Sequence, residues 1–525
     1  MQVQVEGLST TVINYIDELK AGYENKIIKL KNEAIEYQNK YIVIKEKYDL
    51  LIYKRFMRSA EKMPSDENQQ LLFTSEVDPV EIPEKDDEEE KTEVNSYSRK
   101  KPGRKPIDAK IPRIEKIIDI PEEDKTCACG VELTRIGEET SEKLNIIPMQ
   151  IFVEKTIRPK YACRHCEGTE DEDKKTVRIA PVEPSIIPRS IASSSLLSTI
   201  FTQKFQDHLP YYRQERQFDQ IGAAISRQDM SNWQQHVYKR LAPLFEILEK
   251  TVKSGPVIQM DETTVQVMRE EGRDDKQKSY MWLTRGGPPG KTVLWYVYRQ
   301  TRAAYNAREF LEGYTGYLQT DGYEGYNAAI KGMLGIKHVG CFAHARRYFF
   351  EASKISKNSK SAEEGMKYIR KLYIIEDDLR KQNLDEETFV KDRKVRAEPV
   401  LEKFRSWLLK RKEEVPPSML LGKAINYTLS EWDKMTAYLE SPYLTPDNNT
   451  CENAIRPFVL GRKNWLFSQS PEGAESSCGI YSLIETAKQN GLVPRNYLTA
   501  LFEKAPLATS PEDWEKLLPW NVLTA

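Results

Sequence analysis

The chain has 525 residues, and 79 Lys plus Arg against 80 Asp plus Glu leave a formal net charge of −1. At roughly 150 residues per domain this length implies about three to four domains. The even balance excludes a uniformly basic coat and a wholly disordered acidic chain. No apolar run reaches the roughly 18 residues that a membrane span needs, and the first residues, MQVQVEGLSTTV, lack a basic-then-apolar signal. Seven scattered cysteines do not make a secreted disulfide framework. Together these features predict a soluble, cytoplasmic protein.

Residues 13–51 fit a heptad. Its d positions, Ile16, Tyr23, Leu30, Tyr37, Ile44 and Leu51, are all apolar, and among Ile13, Lys20, Ile27, Ala34, Tyr41 and Tyr48 at a only the lysine is polar. The pattern predicts a coiled-coil helix over 10–58 that joins two or more copies of the chain; the alternative is an amphipathic helix packed on its own protein. Residues 59–112 lose this periodicity and read as a charged linker. Ten acids against two lysines between Glu76 and Glu93 give way to seven bases against one acid between Arg99 and Arg113. Within the basic part, RKKPGRKP places Arg99, Lys100, Lys101, Arg104 and Lys105 around a Pro-Gly step. Such a segment suits a narrow minor groove, although basic runs are often only solvated linker.

Two close cysteine pairs, Cys127 with Cys129 and Cys163 with Cys166, flank a β-rich stretch. Four thiolates so placed suit one tetrahedral structural zinc in a module over 113–180, with His165 a possible substitute ligand. From 185 to 252 the pattern turns helical, and Ser226 with Asp229 resembles a capping box that opens a new helix. A helix-turn-helix DNA-binding region fits this spacing, presenting Arg227, Gln228, Ser231, Asn232 and Gln235 to base edges. A plain helical connector is the alternative.

PVIQMDETTVQVM (256–268), YMWLTR and TVLWYVYR read as successive antiparallel strands, NAREFLEGY as a helix, and GYLQTDGYEGYNAAI as a buried strand ending at Asp321-Gly322. Asp261 and Asp321 then sit at strand positions, where a carboxylate is costly unless paired or bound to metal. Pro446 to Asn449 signal the start of a helix that carries Glu452 in its early turns, followed by Arg456, Arg462 and Lys463, a basic stripe suited to a phosphate backbone. The bland alternative is a surface pair of Glu452 with Arg456. The long charged stretch between Asp321 and Glu452 predicts a helical insertion over 351–439 inside a catalytic core of 253–350 and 440–500, with 501–525 as a tail. Cys341 and His344 share a helix face, but two ligands are too few for a metal. His344 is more simply a hydrogen-bonding neighbour of the acids. Cys451 and Cys478 read as ordinary core thiols.

Several long motifs occur in one order: YDLLIYKRFMRSAEKM after the heptads, the cysteine module, HLPYYRQERQF, MDETTVQV, LQTDGYEGYN, GCFAHARRYFFEA and DNNTCENAIRPFVLGRKNWLFSQS. In these the chain resembles the transposases of insertion-sequence family sixty-six, members of the DDE group. The resemblance implies a multidomain α+β protein with an RNase H-like α/β catalytic core and Asp261, Asp321 and Glu452 as its catalytic acids. Asn453 stands where many relatives look to have Arg. The expected chemistry is hydrolysis assisted by two Mg²⁺, with Mn²⁺ as a substitute, to free 3′-OH ends that are joined to target DNA. DNA ends, target DNA, further copies of the chain and accessory proteins of the same element are the expected partners. Two rivals remain open: a non-catalytic zinc-containing DNA-binding regulator, and a structure-specific nuclease of the same fold.

Overall fold

The computed structural model describes residues 10–56, 113–115, 119, 121, 141, 143–144, 150–162, 177–355 and 359–522. Cys127, Cys129, Cys163 and Cys166, and likewise Arg99, Lys100, Lys101, Arg104 and Lys105, lie outside the described residues. The chain divides into two units, one of residues 58–152 and one of residues 1–57 with 153–525. In the first of these the described residues form neither helix nor strand.

The larger unit begins with one long helix, α1 (Thr10–Phe56). Its heptad residues Tyr23, Ile27, Leu30, Tyr37, Tyr41, Ile44, Tyr48 and Leu51 are all exposed. The helix docks on its own chain through a different face: Glu46 is buried and Leu50 packs against the core. Both lie outside the a and d positions, so the apolar seam is left unused by the fold.

A short antiparallel ribbon pairs β1 (Lys160–Ala162) with β2 (Val177–Ile179). Four helices follow: α2 (Ser194–Phe205), α3 (Tyr211–Gln220), α4 (Arg227–Arg240) and α5 (Ala242–Val252). The expected capping box is present at α4, where Ser226 Oγ accepts from Asp229 N and the Asp229 side chain accepts from Ser226 N. These helices have no separate core. Phe201, Phe205, Met230, Val237 and Leu248 belong to one buried cluster with sheet residues such as Leu283 and Tyr296.

The sheet contains β3 (Val257–Gln266), β4 (Lys278–Gly286), β5 (Val293–Arg299), β6 (Gly316–Gln319) and β7 (Ile336–Val339). Its order is β5-β4-β3-β6-β7, with β3, β4 and β5 antiparallel and β3, β6 and β7 parallel. Strand alternation sorts the side chains. Ile258, Met260, Trp282 and Leu318 face α6 (Ala304–Leu311) and α7 (Glu324–Ile330). Val265, Met281 and Leu283 face the opposite layer, which includes α5, α13 (Asn449–Trp465) and α14 (Pro471–Gln489). The expected tail is instead part of this layer. In α15 (Pro494–Lys504), α16 (Pro511–Glu515) and the turns around them, Leu501, Phe502, Trp514, Leu517, Leu518 and Val522 are buried, because their apolar faces complete the core under α2 and α5.

Between β7 and α13 the chain builds a second cluster from α8 (Phe342–Ile355), α9 (Ser359–Arg380), α10 (Glu386–Glu414), α11 (Leu420–Ser430) and α12 (Trp432–Thr436). Glu46 of α1 accepts the Leu420 N–H at 3.0 Å, a carboxylate at the positive end of α11. Fully buried Arg393 donates to the carbonyls of Tyr438, Ser441 and Leu444 and to Glu376 at 2.7 to 3.1 Å. That guanidinium fastens α10 to the segment that returns the chain toward α13. Removing it takes a donor from the carbonyls of Tyr438 and Ser441 and leaves Glu376 and the Leu444 carbonyl to Arg380 alone. Arg393→Ala is therefore expected to destabilise the fold by about 3–5 kcal/mol, read as a lower denaturant midpoint. Replacing Arg393 and Glu376 together with methionine should restore part of the loss; an unchanged midpoint in Arg393→Ala would refute the clamp.

Candidate active site

The parallel register pairs Val257 with Tyr317, Ile258 with Leu318 and Gln259 with Gln319. Asp261 lies two residues further along β3, on the face that meets α13, and Asp321 two residues further along, just past the end of β6. Asp321 departs from its expected place within a strand. β6 stops at Gln319, and the EGYNAAI segment is helix α7. The physical reason is local: the Asp321 carboxylate accepts the Tyr323 N–H at 3.0 Å, turning the chain into α7.

Beneath the aspartates runs a buried polar chain. Gln259 Nε2 donates to Gln319 Oε1 at 2.8 Å, and Gln319 Nε2 donates to the Thr445 carbonyl at 2.7 Å. Gln259 Oε1 in turn accepts from Arg285 Nη1 at 2.9 Å and from Thr450 Oγ1 at 2.8 Å. Thr450 stands in the first turn of α13, so this chain sets that helix against both parallel strands. Asn448 adds a second tie, its Nδ2 donating to the Met260 carbonyl at 3.1 Å. Sequence reasoning passed over these residues. The signal was present as a repeated Gln-x-Asp, in Gln259-Met260-Asp261 and Gln319-Thr320-Asp321.

Glu452 lies in the first turn of α13. Burial pushes its carboxyl up, Asp447 and Asp321 add to the shift, and Arg347 and Arg456 oppose it. Asp261 is pushed up to about 8, first by burial and then by Glu262, Glu452 and Asp321, against a hydrogen bond from the Glu262 N–H. The three acids from β3, the turn after β6 and α13 therefore share one electrostatic neighbourhood. Glu452 forms no ion pair with Arg456 among the described residues; its close basic neighbour is His344 of α8, with Nδ1 3.6 Å from Glu452 Oε1. Both of those atoms are buried without a hydrogen-bond partner. Burial and Arg347 hold the His344 imidazole below its ordinary range.

Glu262, also passed over, points to the other face of β3. Its buried carboxylate is held by Arg302 and the Tyr326 hydroxyl, and the Arg302 guanidinium stacks 3.7 Å above the Tyr323 ring. The expected DNA-facing residues divide. Arg456 and Lys463 are exposed on one face of α13. Arg462 instead turns inward, donating to Thr263 Oγ1 at 2.9 Å and to the Thr264 carbonyl, because α13 runs alongside β3 there. Arg227, Gln228 and Asn232 are exposed on α4, with Gln228 donating to Asn232 at 2.9 Å and Arg227 3.7 Å from Glu215.

Comparison with known proteins gives this geometry a family. Residues 189–476 match the pattern described as Transposase IS66 family, residues 124–167 the zinc-finger binding domain of transposase IS66, and residues 482–520 the IS66 C-terminal element. Residues 44–115 match the pattern described as Transposase C of IS166 homeodomain. Uncharacterized protein y4jD of Sinorhizobium fredii (strain NBRC 101917 / NGR234) is 32% identical over 422 residues, covering 78% of this chain and 80% of that one. Uncharacterized proteins y4hP and y4qI of the same organism are 29% and 30% identical, each over 82% of this chain and over 78% and 80% of their own lengths. With more than half of its length matched by the family's transposase pattern, and its acids gathered where β3, β6 and α13 meet, the chain belongs to the IS66 transposase family.

Proposed function

We propose that this chain binds the ends of an insertion sequence, cuts the DNA by metal-assisted hydrolysis and joins the freed 3′-OH ends to target DNA. The observation that carries the reading is the meeting of Asp261, Asp321 and Glu452 from three separate elements. An antiparallel triplet followed by two parallel strands, with one acid on the first strand and a second just past the end of the adjacent fourth, supports an RNase H-like core.

The acids suit hard divalent cations. Oxygen ligands fit Mg²⁺ or Mn²⁺, and the buried Glu452 Oε1 and the upward shift of Asp261 mark a site short of positive charge. Two such ions, when bound, supply a water of lowered pKa and charge stabilisation at the departing oxygen. The chain's own part is placement: Gln259, Gln319 and Thr450 fix the two strands against α13, and Asn448 holds Met260 beside Asp261. Arg456 and Lys463 on α13, with Arg227, Gln228 and Asn232 on α4, form the surfaces offered to DNA. Arg99, Lys100, Lys101, Arg104 and Lys105 are assigned to a minor groove, and Cys127, Cys129, Cys163 and Cys166 to a structural zinc. The match to the family's zinc-finger domain supports that zinc. All three acids are retained, which favours an enzyme over a regulator that has lost cleavage. The unused heptad seam of α1 is assigned to a second copy of the chain.

Asp261→Asn is expected to lower Mg²⁺-dependent cleavage of end-sequence DNA by at least about 100-fold, since a lost metal ligand removes several kcal/mol of charge stabilisation. Full cleavage by that variant would remove Asp261 from the mechanism, and cleavage without strand-transfer products would favour the nuclease.

The same residue gives a pH signature. Burial and the neighbouring acids push its folded carboxyl up to about 8 from an ordinary 3.8, so between those limits the native chain holds more protons than the unfolded one and stability falls as pH rises. Without divalent metal, the melting temperature of Asp261→Asn should gain on that of the wild type from about pH 5 to about pH 8. A constant difference across that range would show that Asp261 is not buried among the other acids.

Tyr37→Glu with Ile44→Glu places charge at two exposed d positions, where the Lys40 ammonium of the same helix lies 5.6 Å from the Tyr37 ring centre. The pair should convert a dimer to a monomer in sedimentation without loss of helix signal. A wild type that is monomeric at every concentration would exclude the α1 dimer.

A further inference from the structure

The fold adds a third donor to Cys341 and His344. Cys341 lies at the junction of β7 and α8, His344 in the first turn of α8, and Glu452 in the first turn of α13. Cys341 Sγ, a His344 ring nitrogen and a Glu452 carboxylate oxygen all lie within 4.8 Å of one another. The thiol is fully buried and its sulfur accepts the Asn448 N–H at 3.2 Å, which fixes it toward the start of α13. His344 Nδ1 and Glu452 Oε1, 3.6 Å apart, are both buried and lack hydrogen-bond partners. Two facing atoms of that kind ask for something between them.

We infer that Cys341, His344 and Glu452 form a three-ligand site for a thiophilic divalent cation of the zinc type, different in donor set from the oxygen-only site of the three acids and sharing Glu452 with it. Zinc bonds of about 2.0–2.3 Å to sulfur, nitrogen and oxygen place neighbouring ligands about 3.3–3.7 Å apart in a tetrahedron. The His344–Glu452 separation is already of that size, and the sulfur needs to close by about 1 Å. A thiolate and an imidazole select zinc over magnesium. On binding, the thiol proton leaves to solvent and the sulfur takes the cation in its place. Asp321 on the His344 side and Asp447 on the Cys341 side favour a cation here, whereas Arg347 opposes one. The fourth position stays open for water.

Such a cation draws the Glu452 carboxylate toward α8 and away from Asp261. Zinc then acts as an inhibitor that competes for the third acid. That consequence rests on the proposed role of Glu452, but the binding itself does not.

The test is metal content. The full-length chain is equilibrated with a zinc buffer, freed of loose metal and assayed for bound zinc, and the same samples are loaded with Co²⁺ to read the thiolate-to-metal absorption. Wild type and Asp261→Asn should each hold one equivalent more than Cys341→Ser or His344→Ala, and the cobalt difference spectrum between wild type and Cys341→Ser should show a thiolate band. Unfolding midpoints identify any variant that fails to fold, and Glu452→Gln, altered at a partly exposed side chain, serves as the third ligand deletion. Equal zinc content and superimposable cobalt spectra in wild type and the folded ligand variants overturn the site. Neither result depends on DNA cleavage, so a failure here is distinct from a failure of the transposase assay.

Discussion

The parallel pairing of β3 with β6 is the constraint on which the candidate site depends. Parallel neighbours keep residues of equal parity on one face, so a register that matches Gln259 to Gln319 also brings Asp261 and the turn that carries Asp321 to the same end of the sheet. A slip of one residue would send one aspartate to the α6 and α7 side. The buried amide pair between the two glutamines opposes that slip, because breaking it would leave polar groups unsatisfied in the core. The same amides accept and donate to the start of α13, so one polar chain fixes both the strand register and the position of the third acid.

The helical insertion is more than a spacer on this scaffold. Arg393 ties it at its exit to the segment that leads into α13, and it meets the site again beside the acids, where Gly322 packs under Tyr427 of α11. A Cβ at Gly322 would meet the Tyr427 hydroxyl at 2.6 Å, so glycine is required there by close approach. Because α1 docks on α11 through Glu46, the long N-terminal helix and the turn that carries Asp321 bear on the same small helix. Rigid elements of the insertion thus reach the site from one side, while the core shared by α2 to α5 and α13 to α16 supports it from the other.

Much of the fold was legible in the sequence, for identifiable reasons. β-branched and strand-like runs marked β3, β4 and β5, and Ser226 with Asp229 marked the start of α4; Asp261 and Asp321 drew notice as carboxylates in apolar runs, and Glu452 by the cap signal before it and the bases after it. What escaped depended on partners distant in the chain. Only the repeated Gln-x-Asp links Gln259 to Gln319, nothing near Arg393 announces the carbonyls of 438–444, and Arg462 looks like any surface base until α13 is laid along β3. The strand at 316–319 read too long because an apolar run cannot show that an aspartate will fold back on the N–H two residues ahead. The C-terminal helices escaped because their apolar positions gain meaning only against α2 and α5.

The order of the acids along the chain bears on how the protein is made. Asp261 and Asp321 leave the ribosome well before Glu452, with the whole insertion between them, and α13 then needs α14 to cover its apolar face. Domains generally fold as units during synthesis, and contacts between distant segments form late. A nascent chain can therefore complete its strands and its insertion while its set of acids is still incomplete. Synthesis that stops anywhere within the insertion leaves a product able to fold in part but lacking Glu452, so on the proposed mechanism the power to cut DNA arrives only after the whole insertion has been made.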